Sequence, residues 1–196
     1  MNRTDVINSL IKTFNYKSYL EIGTQQGINY DLIKCKNKTG VDPCLPDRWN
    51  PDLKFKATHM MTSDRFFGQN NKKYDIIFID GYHEAGQVYN DVINSLDYLI
   101  KGGTIVMHDC NPISELRQII PRSTKIWNGN VWKAWVKLRT ELKNFTMFVI
   151  DTDEGVGIIT QGSYEPLQLK EKLTYKNLEI NRKKWLNLRD EKYFKQ

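Results

Sequence analysis

Four acids, two histidines and a pair of glycines stand where side chains of this chain could do chemistry together. Glu21 interrupts the apolar run of Tyr19, Leu20 and Ile22, and Gly23 and Gly27 follow it with Thr24, Gln25 and Gln26 between them. A carboxylate ending a buried run is costly unless a partner occupies it, and the glycines let the backbone bend tightly and approach a ligand. Asp42 comes 19 positions after Gly23, at the expected end of a second strand, where an acid can accept hydrogen bonds from two ribose hydroxyls. Asp80 closes the apolar run YDIIFID ahead of Gly81, Tyr82 and His83, and Asp109 follows His108 after the apolar segment 104–107. Two carboxylates at neighbouring strand exits could share a divalent cation, and either histidine could take a proton from a hydroxyl.

The glycine turn discriminates between cofactors. A dinucleotide cradle needs G-x-G-x-x-G, whose middle glycine lets a pyrophosphate lie on the backbone. Here Gln25 stands between the glycines and would crowd it. An acid, a glycine turn, a ribose-binding acid and no phosphate seat point to S-adenosylmethionine, although the same turn would serve as a ligand-free strand-to-helix connection. At these residues the chain resembles the class I SAM-dependent methyltransferases, whose first motif is E/D-x-G-x-x-x-G. The segment DIIFIDGYHEAGQVYNDVINSLDYLIKGGTIVMHDCNP, with TSDRFF before it and WNGNVWK after it, resembles a bacterial and viral subgroup with D-G-x-H and H-D strand exits. That subgroup is associated with O-methylation of glycans or small molecules, and the resemblance covers residues 17–160. It implies a Rossmann-like, doubly wound α/β sheet of seven strands in order 3-2-1-4-5-7-6, with strand seven antiparallel. It implies cofactor contacts from Glu21 near the methionine, Asp42 on the ribose and Ser63 and Asp64 near the adenine, together with Gly23, Thr24, Gly27 and Asp80.

For catalysis, Asp80 and Asp109 with Asn111 form the beginnings of a Mg²⁺ site completed by waters. Catechol-type and antibiotic-sugar O-methyltransferases use such an ion to acidify the acceptor hydroxyl. In those families an acid or asparagine directly follows the strand-five aspartate, whereas Cys110 intervenes here. Two adjacent carboxylates repel unless a cation or proton lies between them, which favours the ion. The competing base is His83, on the acceptor side of Asp80. Plainer roles stand beside these: His108 and His59 as structural histidines, Asp80 as a helix cap or a partner of the cofactor's amine. Trp127, Trp132 and Trp135 read as packing or a sugar platform, and Lys133 as a surface charge or a substrate clamp.

Positioning these residues requires alternating strands and helices. MNRTDVINSLIKTF reads as an amphipathic helix with Val6, Ile7, Leu10, Ile11 and Phe14 on one face and Thr4 or Asp5 as cap. After the glycine turn, a helix carries Ile28, Tyr30, Leu32 and Ile33. Strands are expected over 40–42, 55–61, 74–80 and 104–107, with an irregular loop at 43–51 and a helix or turn over 65–67. A helix with Val88, Val92, Ile93, Leu96 and Leu99 on one face ends at Lys101, Gly102 and Gly103. A short helix over 114–120, one from about Asn130 to Arg139, and an antiparallel pair over 145–150 and 156–160 follow. Five βα units and an antiparallel close predict a parallel sheet with its ligand at the switch point.

Composition narrows the class. The chain has 196 residues, 40% hydrophobic and 27% charged, which suits one globular domain. Most of the net charge of +6 lies in residues 163–196, which carry +4. Leu178, Trp185 and Leu188 share a helical face there, so this segment reads as a basic amphipathic helix docked on a methyltransferase domain of residues 1–162. The same basicity motivates a second reading, an RNA or other nucleic-acid methyltransferase. The D/N-P-P-Y/F/W motif expected of a nucleic-acid amino-methyltransferase is replaced by DGYH. A third reading is a binding protein that keeps the fold without catalysis. Cys35, Cys44 and Cys110 show no metal-ligand spacing and read as free thiols. No apolar run reaches a membrane span, and the N-terminal helix lacks the features of a signal peptide. The expectation is a cytoplasmic enzyme, possible as a homo-oligomer, acting on a small-molecule or glycan acceptor.

Overall fold

The computed structural model describes residues 1–46, 51–163 and 165–194. Its chain order is α1 (Arg3–Phe14), β1 (Ser18–Ile22), α2 (Ile28–Leu32), β2 (Asn37–Asp42), β3 (His59–Met60), α3 (Ser63–Gln69), β4 (Tyr74–Ile79), α4 (Ala85–Tyr98) and β5 (Leu99–Met107). Then come α5 (Glu115–Gln118), α6 (Val131–Glu141), β6 (Phe145–Ile150), β7 (Val156–Gln161), α7 (Tyr175–Leu186), β8 (Leu188–Arg189) and α8 (Glu191–Phe194). One sheet holds the strands in the order β3-β2-β1-β4-β5-β7-β6-β8. β7 runs antiparallel to both β5 and β6. The expected seven-strand order is therefore borne out, and β8 adds an eighth strand parallel to β6.

Alternation along the strands splits the core between the two faces of the sheet. Leu20, Ile22, Ile77, Ile79, Ile105 and Met107 face the layer of α3, α4, α6 and α7. Tyr19, Ile76, Phe78 and Val106 face α1 and α2. On α1, Val6, Ile7, Leu10 and Ile11 are buried, but Phe14 is exposed and stacks on Tyr16. The α1 cap is Asn2 in a capping box with Asp5, in place of the expected Thr4 or Asp5, because the helix starts at Arg3 and the Asn2 side chain accepts from its third amide, that of Asp5.

Several boundaries move for identifiable reasons. β2 begins at Asn37, three residues before the expected strand over 40–42, because Asn37–Thr39 pair with Ser18–Leu20 of β1. β3 shrinks to two residues, since Lys56 N donates to Gln25 O (2.8 Å) in the glycine turn and Thr58 N donates to Gly40 O (3.0 Å) of β2, so that the chain before His59 leans across both. In α2 only Tyr30 is buried, with Ile33 just beyond it, while Ile28 and Leu32 face outward. Gly102 has positive φ as expected, but it lies inside β5, which starts at Leu99 directly after α4. Part of the expected loop at 43–51, residues 47–50, lies outside the described residues, as does Tyr164 of the basic segment.

The C-terminal segment docks through α7. Leu178 and Trp185 are buried, and Trp185 stacks on Trp132 at 6.1 Å. Leu188 leaves the helical face because Asn187 takes a left-handed conformation and ends the helix before it. Arg139, 1% exposed, donates from Nη1 to the carbonyls of Lys184 (2.5 Å) and Trp185 (2.9 Å) at the end of α7.

Candidate active site

A cleft of about 1340 Å³ opens at the carboxyl ends of β1, β2, β4 and β5, between α1 on one side and the segment before α6 on the other. Its volume exceeds the roughly 300–1,000 Å³ of a typical small-ligand site, leaving room for two reactants. Glu21, Gly23, Thr24, Asp42, Ser63 and Asp64 line one half; Asp80, His83 and Asp109 line the other.

In the first half, β1 delivers Glu21 and then turns at Gly23 (φ 90°). A Cβ at Gly23 would run into the carbonyl of Asp80, so only glycine lets the exits of β1 and β4 lie this close. Glu21 is 1% exposed; the Tyr19 hydroxyl and Asn29 Nδ2 (3.0 Å) both donate to its Oε2. Burial pushes its carboxyl up to about 8 against those two hydrogen bonds. Gln25 has a left-handed backbone (φ 46°), and its amide donates to Asp42 Oδ2 (2.9 Å) while the Cys44 amide donates to Oδ1 (2.7 Å). Asp42 is thereby aimed, and each oxygen keeps a lone pair for another donor. Thr62 caps α3 and sets Ser63 and Asp64 on the wall. Gln87 Nε2 donates to Ser63 Oγ (3.2 Å), Asp64 Oδ1 (3.1 Å) and Asp91 Oδ1 (3.0 Å). Asp91 is buried on α4, which pushes its carboxyl up to about 6. Thr24 Oγ1 and Asp91 Oδ2, both on the cleft wall, are buried without a hydrogen-bond partner among the described residues.

The second half is an ionic cluster. His83 Nε2 lies 3.5 Å from Asp80 Oδ1, and its Nδ1 lies 3.3 Å from Asp109 Oδ2 and 3.1 Å from the Trp127 carbonyl. His108 Nδ1 lies 3.0 Å from Asp109 Oδ2 and 3.3 Å from Asp80 Oδ1. From the first turn of α1, Arg3 Nη1 donates to Asp80 Oδ2 (2.6 Å) and Nε to Asp153 Oδ2 (2.9 Å). Burial pushes the Asp80 carboxyl up, but His108, His83 and Arg3 outweigh it and hold it well below the carboxylate range. Burial opposes the charge on both histidines, yet Asp109 and Asp80 raise both imidazoles, His108 well above its ordinary value. Asp109 itself takes a left-handed backbone (φ 59°), a costly conformation for a non-glycine residue that turns its carboxylate into the cluster. Asn128 Nδ2 holds its Oδ1 at 2.8 Å.

The expected ion ligands come together only in part. Asp80, His83 and Asp109 offer ligand atoms within 4.8 Å of one another. Asn111 is not brought to them: its Nδ2 donates to Asp151 Oδ1 (2.9 Å) and its Oδ1 accepts from Arg182 Nη1 (2.5 Å). Cys110 is buried beneath β5 and β7. The three tryptophans divide: Trp132 and Trp135 are wholly buried, whereas Trp127 lines the cleft and stacks on His83 at 5.1 Å. Lys133 Nζ lies over Trp132, 5.6 Å from the ring centre. His59 sits on the edge strand, bonded to Thr58 Oγ1 (2.9 Å) and edge-on to Phe66.

A strap formed by residues 112–130 closes over this half. Gly129 (φ 60°) presses on the backbone of His83, Asn130 N donates to His83 O (3.1 Å), and Asn130 Oδ1 accepts from Ala85 N (2.5 Å). Arg117 is paired with Glu154 (2.8 Å), and Gly155 presses on Asn111 at the strap's start. The residues that sequence reasoning missed are Arg3, Asp153, Asn29, Asp91 and Asn128. Arg3 carried one usable signal, because it lies four positions before Ile7 on the buried stripe of α1.

Comparison with known proteins agrees with this architecture. A family model described as a methyltransferase domain matches residues 47–110. A curated relative, the uncharacterized protein R132 of Acanthamoeba polyphaga mimivirus, is 31% identical over 144 residues, 62% of this chain. The match spans 65% of that relative's length. Among solved structures, the Bacillus cereus O-methyltransferase in complex with SAH is 12% identical, with 82% of each chain covered and a TM-score of 0.55. The Streptomyces achromogenes O-methyltransferase TomG in complex with SAM is 12% identical, covering 82% of this chain and 80% of its own, with a TM-score of 0.57. The SAH-bound Podospora anserina methyltransferase PaMTH1 is 13% identical, covering 82% and 78%, with a TM-score of 0.58.

Proposed function

We propose, from a chain whose fold is that of the class I SAM-dependent methyltransferases, that this protein transfers the methyl group of SAM to a hydroxyl of a small molecule or glycan. The observation that carries the reading is His83 held between two carboxylates, in the same cleft as the glycine turn and Asp42. Glu21, Gly23, Thr24 and Gly27 would hold the methionine end of the cofactor, Asp42 the ribose hydroxyls, and Ser63 and Asp64 the adenine. The donor set fits: Thr24 Oγ1 and Asp91 Oδ2 are buried polar atoms on this wall awaiting partners. The Glu21 carboxyl, pushed up to about 8 by burial, would ionise once the cationic amine of the cofactor is seated beside it. When bound, SAM supplies an electrophilic methyl group that an acceptor oxygen takes by in-line displacement.

The chain's own residues then have three tasks. Asp109 and the Trp127 carbonyl hold His83 Nδ1–H; Nε2, at 3.5 Å from Asp80 Oδ1, accepts the acceptor's proton; and Trp127 offers a flat face on which a sugar or aromatic acceptor can stack. A second reading rests on the convergence of Asp80, His83 and Asp109: a divalent ion such as Mg²⁺ at those residues acidifies the hydroxyl instead. The acceptor screen is labelled-SAM transfer over hydroxylated sugars, phenolics and RNA, each with and without chelator. Chelator-insensitive transfer that falls about 10²- to 10⁴-fold in His83→Ala supports the histidine, and transfer abolished by chelator and restored by Mg²⁺ or Mn²⁺ supports the ion. Transfer to RNA alone, falling steeply with salt, would return the reading to a nucleic-acid enzyme. SAM binding with no transfer to any class would make the protein a binding module. No helix among the described residues is long and apolar enough to cross a membrane.

A further inference from the structure

We propose that Arg3 is the resident cation of the acceptor-side cluster, a positioning residue that meets the charge of Asp80 from the side opposite His83, where a divalent ion would otherwise be needed, and holds Asp80 for His83. The inference rests on the histidine reading of the site given above. Three carboxylates, those of Asp80, Asp109 and Asp153, converge with two imidazoles in one corner of the cleft. The imidazoles of His108 and His83 offset part of that negative charge, and a cation that does not titrate keeps the offset at any pH. Arg3 supplies it from an unexpected direction, the first turn of the N-terminal helix.

The contacts are those of a seated guanidinium. Nη1 lies 2.6 Å from Asp80 Oδ2 and 3.1 Å from His108 Nδ1. Nε and Nη2 make a forked pair with Asp153 at 2.9 and 3.3 Å, and the Arg3 amide adds a bond to the same carboxylate at 2.8 Å. A planar fork that keeps its proton at any physiological pH suits this task better than a mobile ammonium. With Oδ2 of Asp80 taken by Arg3, Oδ1 is left facing His83 Nε2 and His108 Nδ1. The argument that two neighbouring carboxylates require a metal ion loses its force here, because the guanidinium already lies against one of them. The strand-five exit agrees: the asparagine that could complete an ion site is bonded to Asp151 and Arg182.

The test compares wild type with Arg3→Met and Arg3→Lys, each checked for folding by thermal melting. Mn²⁺ titration followed by electron paramagnetic resonance reads the proposal without any turnover. Wild type should show no stoichiometric site, and Arg3→Met should acquire or tighten one on the order of tenfold, as removal of a neighbouring cation allows. Where an acceptor is in hand, Arg3→Met should lose about 10²-fold in kcat, the scale of a displaced catalytic group, with SAM affinity by calorimetry kept within about threefold. Methylguanidinium in the buffer should recover part of that loss, and Arg3→Lys should recover less than half of it. Stoichiometric Mn²⁺ in wild type, or full kcat in Arg3→Met, would overturn the proposal. So would a loss of SAM affinity matching the loss of rate, which would assign Arg3 to the cofactor's carboxylate. Full activity in His83→Ala would sink the histidine reading and with it the role of Arg3 in holding Asp80 for His83, whereas a Mn²⁺ site gained only in Arg3→Met would still mark Arg3 as the resident cation of the cluster.

Discussion

Two arginines of this molecule invite comparison. Arg3 and Arg139 both leave helices to meet polar groups beneath the surface, yet Arg3 meets carboxylates on an open cleft and Arg139 meets main-chain carbonyls in a closed seam. The seam is capped by stacked tryptophans and serves the end of α7, where a positive charge complements the unpaired carbonyls of the last turn. The cleft corner instead gathers side chains whose protonation can change. A buried cation by itself therefore says little about function. The chemistry of its partners, and whether a small molecule can reach them, separates anchorage from reactivity.

That contrast can be broken or sharpened by measurement. The largest expected effect is in the seam: Trp185→Ala should destabilise the fold by about 3–5 kcal/mol, read from chemical denaturation, with SAM affinity of the folded fraction unchanged. If the fold keeps its stability, or if deleting the chain after Gly162 leaves the melting temperature intact, the seam is no anchor and the basic segment is an independent arm. In the cleft, Asp42→Ala should weaken SAM by about 2–4 kcal/mol, the scale of a pair of charge-assisted hydrogen bonds, with melting temperature nearly constant. Wild-type affinity in a folded Asp42→Ala protein would remove the ribose assignment.

Two further effects follow from protonation and surface charge. Glu21 has its folded pKa raised from 4.5 to about 8, so the folded chain holds a proton that the unfolded chain releases between those values. Stability from this proton is fully present below 4.5 and is lost as pH rises through about 8. Melting temperature against pH should thus decline less steeply in Glu21→Gln than in wild type over that window, and equal slopes would mean that Glu21 is ionised in the free protein. Least of all, charge reversal at Lys183 and Lys184, in the last turn of α7, should cost under about 1 kcal/mol. A larger loss would make the helix end, with its carbonyls on Arg139, an electrostatic site after all.

Much of the scaffold was legible because its strands are apolar runs with unambiguous exits. Tyr74–Ile79 is buried almost throughout, and the acids at its end and at the ends of β1, β2 and β5 could be assigned to one sheet edge by topology alone. The polar start of β2 was not legible, since pairing with β1 and not its own composition makes it a strand. Nor were the partners that arrive from far along the chain. Arg3 meets Asp80 across 77 positions and Asp153 across 150, and no local spacing announces such pairs. Asn111 illustrates the opposite error: adjacency in sequence to Asp109 suggested shared duty, while the left-handed turn at Asp109 sends the two side chains to different partners.

The strap over the acceptor corner has a consequence for how this scaffold can diversify. Gly129 is wedged against His83 at one end and Asn111 lies under Gly155 at the other, so both ends are held by contacts that tolerate no added carbon. Between them Ile113, Leu116 and Ile126 point outward and contribute little to the core. A stretch with immovable ends, pinned in between where Arg117, Trp127 and Asn128 meet Glu154, His83 and Asp109, behaves as an exchangeable cassette at its remaining positions. Its length and sequence can drift, or be grafted from a relative, while the reacting groups keep their places. Retargeting this protein to a new acceptor would begin there.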